Sequence, residues 1–386
     1  MTNSSAYIMY GCPVSLYTGK ARSYMRKKGI SYTERLQSHP DYFGKIVPKV
    51  GRIVIPVIEA ENGDTVQDTT EIIDYLESKH DSGSAYPTGP RQKILSLIFE
   101  LFGDEGLLKP AMHYRWNFDD DNDDFISLEF GRFMNPVAED GDAKQLAAMP
   151  KAKMSGLLPA LGITDETKGA IEASYHDLLD ALNAHFLKHP YLFGGTPSIG
   201  DFGLYAPLYA HLGRDPAPSM IMKKKANRVW RWVERMTASD ADMPEFPNLA
   251  PAFYDDDQIP ETIAPILKVI AKDYLPELKG LVGFINQHLI DNPEIDEGDA
   301  IIKDANARSL GFFKATIRDT EFSLVARHYS IWMLQRVQDA FATLSSTDAE
   351  EVRSYLSETG LEEILDLKTK RRIERDTFKE VWGKTQ

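Results

Sequence analysis

A small α/β domain of about 80 residues leading into an otherwise helical chain is the fold class the sequence predicts. Three observations carry that prediction. Residues 1–80 switch between two-residue and helical apolar periods, residues 81–90 (DSGSAYPTGP) have no period and are rich in Gly, Ser and Pro, and the apolar spacing beyond them is mostly helical. Charge divides the chain at the same place. Residues 1–80 hold ten Lys/Arg against nine Asp/Glu, a net of +1, so within a total of −14 the rest of the chain carries −15.

The elements follow in order. Tyr7–Tyr10 is predicted as a short strand, and Leu16–Lys28 as a helix with a basic outer face. Ser31–Leu36 and Ile53–Glu59 read as strands, the second rich in Ile and Val. Asn62-Gly63 is a hairpin signal, with Asp64–Val66 as the returning strand. Thr69–His80 sets Ile72, Ile73 and Leu76 on one helical stripe, which gives the order β-α-β-(α or loop)-β-β-α. Beyond a linker at 81–90, a helical domain is predicted over 91–250, with helices at Gln92–Phe102, Leu107–Phe118, Ile171–His189, Ser198–Leu212 and Ala226–Met236. The block Asp119–Thr167 is acidic and poor in pattern and reads as an insertion, its Asp119–Asp124 run as a solvated loop.

Ser239–Pro260, with its prolines and the Asp255–Asp257 run, breaks the pattern again. The stretch 251–386 is predicted as a helical extension, with apolar stripes over Thr262–Leu289 and Glu321–Leu344. Thr347 to Glu350 fits a capping box, and Gly360 is placed to stop the helix it opens. The basic run Lys368–Arg375 reads as a solvated face of a last helix.

Composition excludes several classes of function. A chain this acidic is a poor ligand for a polyanion, so no nucleic-acid partner is expected. One cysteine permits no intrachain disulfide and no cysteine zinc cluster. No run approaches 18 apolar residues, and the start MTNSSAYIMYGCP has no basic segment leading into an apolar one, so the expectation is a cytoplasmic protein without a membrane segment. His185 and His189 stand four apart but lack the intervening Glu of a zinc protease and a third ligand, so they read as a solvated helix face and no metal is expected.

Chemistry concentrates in the first domain. In Tyr10–Arg22 (YGCPVSLYTGKAR) a strand ends and a helix begins, and unpaired N–H groups at a helix start favour an anion such as a thiolate. Ser15 stands at that start, and Cys12 one turn earlier in a C-P-x-S arrangement. Taken alone, such a serine is a cap and such a cysteine a packed small side chain. Tyr10 and Tyr17 are alternative hydroxyl donors, Tyr17 the weaker. In Ile53-Val54-Ile55-Pro56-Val57 a proline interrupts a strand, and a cis Ile55–Pro56 bond would leave the Ile55 backbone free for an extended peptide ligand. At the next helix start, Asp68 and Thr69 would serve as caps; functionally, the N–H groups and Thr69 would take a ligand carboxylate and Asp68 an ammonium.

In order and spacing, these residues resemble the glutathione transferase superfamily. The resemblance implies a thioredoxin-like N-terminal domain, an all-α second domain and glutathione as co-substrate. It puts Ser15 at the family's serine or cysteine position, six residues before Ala21. It gives Pro56 the cis-proline position, Ile55 the pairing with the cysteinyl backbone, Asp68 and Thr69 the γ-glutamyl end, and Lys45 or Lys49 the glycyl carboxylate. Pro197 to Phe202 resembles the family's capping box, with Ser198 as N-cap and Asp201 as its reciprocal partner, a folding role. Tyr114 or Trp116 would help line an apolar pocket for a small electrophile. A homodimer is implied, though the extension could block or replace that interface. The resemblance covers 7–80 well and 91–236 less closely; 261–386 has no counterpart in it. Three functions stay open at this point: conjugation through Ser15, glutaredoxin-like thiol exchange through Cys12, and a non-catalytic binding or scaffold protein.

Overall fold

The computed structural model describes residues 6–81, 83–302 and 309–386; Ser82 of the linker lies outside them. Strand β1 (Tyr7–Tyr10) leads into α1 (Leu16–Lys27) and β2 (Tyr32–Arg35). After a wide helical turn at Tyr42–Ile46 come α2 (Val47–Val50), β3 (Val57–Ala60), β4 (Thr65–Gln67) and α3 (Thr69–Lys79). The sheet order is β2-β1-β3-β4, with β2 parallel to β1 and the other pairs antiparallel. The third strand starts only after Pro56, four residues later than its Ile/Val content predicts. A proline within a run of ladder donors belongs at its start.

The basic face of α1 does not point outward as predicted. Lys20 is fully buried and Arg22 nearly so; Arg22 pairs with Glu34 of β2 (2.6 Å), and Lys20 with Glu100 (2.8 Å).

The helical domain comprises α4 (Pro90–Leu101), α5 (Leu108–Trp116), α6 (Asp119–Met134), α7 (Asp140–Ser155), α8 (Lys168–Phe186), α9 (Ile199–Ala210), α10 (Pro216–Lys225) and α11 (Asn227–Thr237). The insertion is a helical hairpin, α6 against α7. The aspartate run opens α6, with Asp119, Asp120 and Asp121 in its first turn. Carboxylates there complement the positive end of the helix dipole, which a solvated-loop reading overlooks. Helix α9 is the axis that joins the domains. Its capping box closes as predicted: Asp201 N–H donates to Ser198 Oγ (3.4 Å), and Ser198 N–H donates to Asp201 Oδ2 (2.9 Å). Leu16 of α1 packs on Ala206 and Ala210 of α9. On its other side, a Cβ on Gly103 would stand 2.3 Å from the Gly203 carbonyl carbon, so the two backbones approach as only glycines allow.

Helices α12 (Ile263–Asp273), α13 (Leu275–Asp291), α14 (Tyr329–Ala342) and α15 (Ser346–Thr359) supply the predicted helical extension. It also contains two hairpins that were not expected, β5 (Phe312–Ile317) with β6 (Thr320–Val325) and β7 (Arg371–Asp376) with β8 (Lys379–Thr385). Glu321–Val325 is therefore strand, burying Phe322 and Leu324 at a two-residue period, and the helix begins at Tyr329. The N-cap of α15 is Ser345, two residues before the predicted Thr347, and accepts from Asp348 N–H; Gly360 ends the helix as expected, at φ 78°.

The Lys368–Arg375 run leads into β7 and not into a helix, and two of its arginines tie the hairpin to other elements. Arg372 pairs with Asp339 of α14 (2.7 Å) and Arg375 with Glu71 of α3 (2.6 Å).

Candidate functional site

The register of the sheet gathers the candidate residues. Tyr10 stands opposite Val57, and Val57 opposite Gln67. The segments that leave or enter the sheet there, Gly11–Ser15, Ile55-Pro56 and Asp68-Thr69, therefore share one edge. The Ile55–Pro56 bond is cis. Among the described residues, no hydrogen bond engages the Ile55 backbone.

The loop between β1 and α1 is pinned from the helical domain. Arg115 donates to the Val14 carbonyl (3.0 Å) and Arg214 to the Pro13 carbonyl (2.9 Å). Arg115 is itself held by a two-pronged pair with buried Asp215, at 2.7 and 2.9 Å. Ser15 is the N-cap of α1, half-buried, and its Oγ accepts from Thr18 N–H at 3.2 Å. Among the described residues nothing accepts its hydroxyl proton, so the group can still donate.

The alternative donors are committed elsewhere. Tyr10 donates to Glu59 (3.1 Å) and Tyr17 to the Asp104 carbonyl (3.1 Å). Cys12 is 3% exposed, and burial pushes its thiol up to about 11, against the pull of the Ser15 and Val14 amides. A thiol so placed is almost wholly protonated at neutral pH. Native Cys12 is therefore expected to react with iodoacetamide at pH 7.5 at least about a hundredfold more slowly than in guanidinium-unfolded chain, because the thiolate is the reactive form. Equal rates would return Cys12 to contention.

Asp68 caps α3 from a left-handed backbone position, φ 85°, where a non-glycine residue is uncommon. Its Oδ1 accepts from Thr70 N–H (3.0 Å) and Glu71 N–H (3.5 Å), and also from the hydroxyl of Tyr329 (2.7 Å), 261 residues further along the chain. Thr69 is 3% exposed.

The extension thus closes over this end of the edge. Arg327 pairs with Glu105 (2.9 Å), and Ser330 donates to the same carboxylate (2.5 Å). Arg375 bridges Glu71 and Glu380 and reaches the Gln67 amide oxygen (3.4 Å). Phe378, at the turn of β7–β8, packs on the cluster of Tyr10, Tyr42 and Val57.

Two family models match this architecture. Residues 9–85 match the N-terminal domain of glutathione S-transferases and residues 164–235 the C-terminal domain. The chain carries both domains of the glutathione S-transferase family. The α6–α7 hairpin and everything from α12 onward lie outside both models. Solved structures similar to it include the β-etherase LigF from Sphingobium sp. strain SYK-6, at 16% identity over 63% of this chain and 99% of that one, TM-score 0.42. Glutathione transferase GSTFuA3 from Phanerochaete chrysosporium is also 16% identical, over 61% and 97%, TM-score 0.42. A glutathione S-transferase from Rhodospirillum rubrum F11 is 12% identical over 67% and 99%, TM-score 0.40. No curated protein matches the sequence.

Other candidates from the sequence sit differently in this transferase fold. Lys45 pairs with Glu59 (2.6 Å) and stays largely exposed, whereas Lys49 turns to the Gly63 carbonyl in the β3–β4 hairpin (3.1 Å). Tyr114 and Trp116 belong to the helical core. Tyr114 stacks on Phe118 and meets Tyr175, and Trp116 meets Phe130 edge-on. Their aromatic weight fills the space between α5, α6 and α8. An open cavity of about 230 Å³ lies between α8 and α11, lined by Phe186, Arg228 and Arg231 among others, and includes none of the edge residues. No described helix is long and apolar enough to cross a membrane, and among the described residues no three His, Cys, Asp or Glu side chains are grouped to hold a metal.

The histidine pair is not a solvated face. His185 is fully buried, its Nδ1 accepting from the Thr262 hydroxyl (2.7 Å) and its Nε2 donating to the Tyr191 carbonyl (3.1 Å); His189 stacks on it and bonds the Tyr254 hydroxyl (2.7 Å). Burial, then the neighbouring imidazole, lowers His185 to about 3. Its folded value is below its unfolded one, so its contribution is complete above about pH 6.5 and is lost as pH falls toward 3. Between pH 7 and 4.5 this amounts to about 2–3 kcal/mol. Urea unfolding of His185→Gln should show a pH slope shallower than wild type by that amount. Parallel slopes would mean the ring reaches water.

Proposed function

We propose that the chain is a glutathione transferase in which Ser15 donates a hydrogen bond to the sulfur of bound glutathione, holds it as the thiolate and presents it to a small apolar electrophile. One observation carries this reading. Ser15 Oγ takes the Thr18 amide and keeps its own proton to give, at the half-buried start of α1.

The magnitudes suffice. A free thiol with a pKa near 8.5 is only about 3% ionised at pH 7, and lowering it by about two units needs about 2.7 kcal/mol. A hydroxyl donating to a charged partner supplies roughly 1.5–3 kcal/mol, and the helix terminus roughly 0.3–1. The thiol proton leaves to solvent, so no side-chain base is required. The thiolate then attacks an electrophilic carbon, and the leaving group departs with the bonding pair. Ile55 pairs with the cysteinyl backbone, Thr69 and the α3 amides take the glutamyl carboxylate, Asp68 takes the ammonium, and Lys45 is the better placed cation for the glycyl end.

The test is a calorimetric titration of glutathione into wild type and Ser15→Ala, with thiolate absorbance read on each complex. The reading stands if both bind and only wild type ionises the sulfur. It falls if wild type does not bind, or if both ionise it equally.

A second reading, a binding protein without turnover, is favoured by one observation: the extension already engages Asp68 through Tyr329. No measurable glutathione binding, together with no conjugation of activated aryl halides or epoxides, would support it.

A further inference from the structure

We infer that the C-terminal extension is a resident competitor for the glutamyl end of the glutathione site, with Tyr329 standing on Asp68, which the ligand ammonium would need, and Arg375 on the neighbouring Glu71. The inference rests on the transferase reading and adds the control of its site. A glutamyl ligand brings an ammonium for Asp68 and a carboxylate for the amides and hydroxyl at the start of α3. The extension meets the first of these needs in advance. The Tyr329 hydroxyl donates to Asp68 Oδ1 at 2.7 Å, the oxygen that also accepts the Thr70 and Glu71 amides. The Arg375 guanidinium, with a side chain 5% exposed, sits on Glu71 at 2.6 Å and reaches Gln67 at 3.4 Å, so a cation of the chain itself is lodged beside Asp68.

Thr69 is 3% exposed and Thr70 fully buried, Thr70 Oγ1 facing the Met333 sulfur of α14 at 3.7 Å. The sulfur end is differently placed, since Ser15 and Ile55 are half-buried and have unused hydrogen-bonding groups. The contacts on Asp68, Glu71 and Gln67 thus fall at the end that confers selectivity for a γ-glutamyl group.

Its attachment is suited to exchange. Tyr329 is itself half-buried, and its tie to Asp68 is a single hydrogen bond from an uncharged donor. An arriving ammonium would make an ion pair in its place, adding the attraction of a full positive charge. A site that is open only part of the time binds with an affinity reduced by the open fraction.

The experiment uses the full chain. Glutathione is titrated into wild type, Tyr329→Phe and Arg375→Gln, and amide hydrogen exchange over 327–342 and 371–382 is followed with and without saturating glutathione. Tyr329→Phe is expected to bind roughly tenfold more tightly, the effect of one hydrogen bond to a charged group, and Arg375→Gln more tightly than wild type because it withdraws a cation from beside Asp68. Glutathione is expected to speed exchange in both segments of wild type, the reverse of ordinary protection by a ligand. Tyr329→Ala, which removes the ring as well, should tighten binding further if the ring also blocks the site. If glutathione binds and slows exchange there, or if the variants bind equally or more weakly, the extension belongs to the site and the competitor is refuted while the transferase reading stands. If no variant binds glutathione although exchange shows the extension released in Tyr329→Ala, the transferase reading fails and the inference with it.

Discussion

Ser15→Ala is expected to lower kcat/KM for conjugation of an activated aryl halide by roughly 10- to 150-fold, the rate equivalent of losing one hydrogen bond to a thiolate. The bound sulfur should titrate one to two units higher in parallel, by the same energy, about 1.4 kcal/mol per unit. A structural explanation must be separated from a chemical one, because Ser15 also caps α1 and alanine costs a helix about 1 kcal/mol at that position. Ser15→Asp makes the separation. An aspartate caps as well as serine but has no proton to donate at pH 7. It should therefore retain the thermal stability that Ser15→Ala loses, yet conjugate more slowly still, since its charge repels the thiolate. If Ser15→Asp were as active as wild type, the hydroxyl would be a cap and nothing more. Ser15→Thr keeps both functions and should stay within a few-fold of wild type.

The features legible in the sequence are those built from neighbours along the chain. The start of α1 at Ser15, the hairpin at Asn62-Gly63, the cap at Asp68 and the box at Ser198 and Asp201 each involve residues within a few positions of one another. Local chemistry of that kind leaves a local pattern. Lys20 leaves none. Its partners Glu100 and Asp104 are 80 and 84 residues away, so its place in the apolar row of α1 looks like a solvated basic position. Tyr329 and Asp68 are separated still further, and the basic run around Arg375 gives no sign that its cations are spent on Glu71 and Asp339. The strand in Glu321–Val325 was hidden by a different cause. Phe322, Val325, Ala326 and Tyr329 fall at i, i+3, i+4 and i+7, so the strand and the helix that follows together imitate one helical stripe. The family models stop at residue 235, so resemblance gave no help with the part that covers the site.

The largest stability effect is expected at Lys20. Its ammonium is buried between Glu100 (2.8 Å), Asp104 (2.5 Å) and the Thr70 hydroxyl (3.3 Å), joining α1, the start of α3 and α4. Burial alone would lower the lysine's pKa; the two carboxylates more than offset this and raise it, so it stays charged. Replacing both ions with apolar groups can be nearly neutral, but deleting one partner strands the other. Lys20→Met is expected to cost about 3–5 kcal/mol in urea unfolding at pH 7.5, because two carboxylates would lose their cation.

The pH dependence follows from Asp104. Burial, helped by the charge of Glu100 and opposed by Lys20, raises its carboxyl above the ordinary range. Without the lysine the folded value rises further above the unfolded one. Such a group favours the fold below its unfolded value and loses that contribution as pH rises through its folded value. The deficit of Lys20→Met should therefore be nearly constant from pH 5 to 7 and grow as pH rises through about 8, and Lys20→Met/Asp104→Asn should recover part of it at the higher pH. A deficit below about 1 kcal/mol at every pH would show that water reaches these carboxylates. Because Thr70 shares the cluster and adjoins Thr69 and Asp68, the same variant should also weaken glutathione binding. Displacement of the α3 start would thereby connect the buried ion cluster to the site above it.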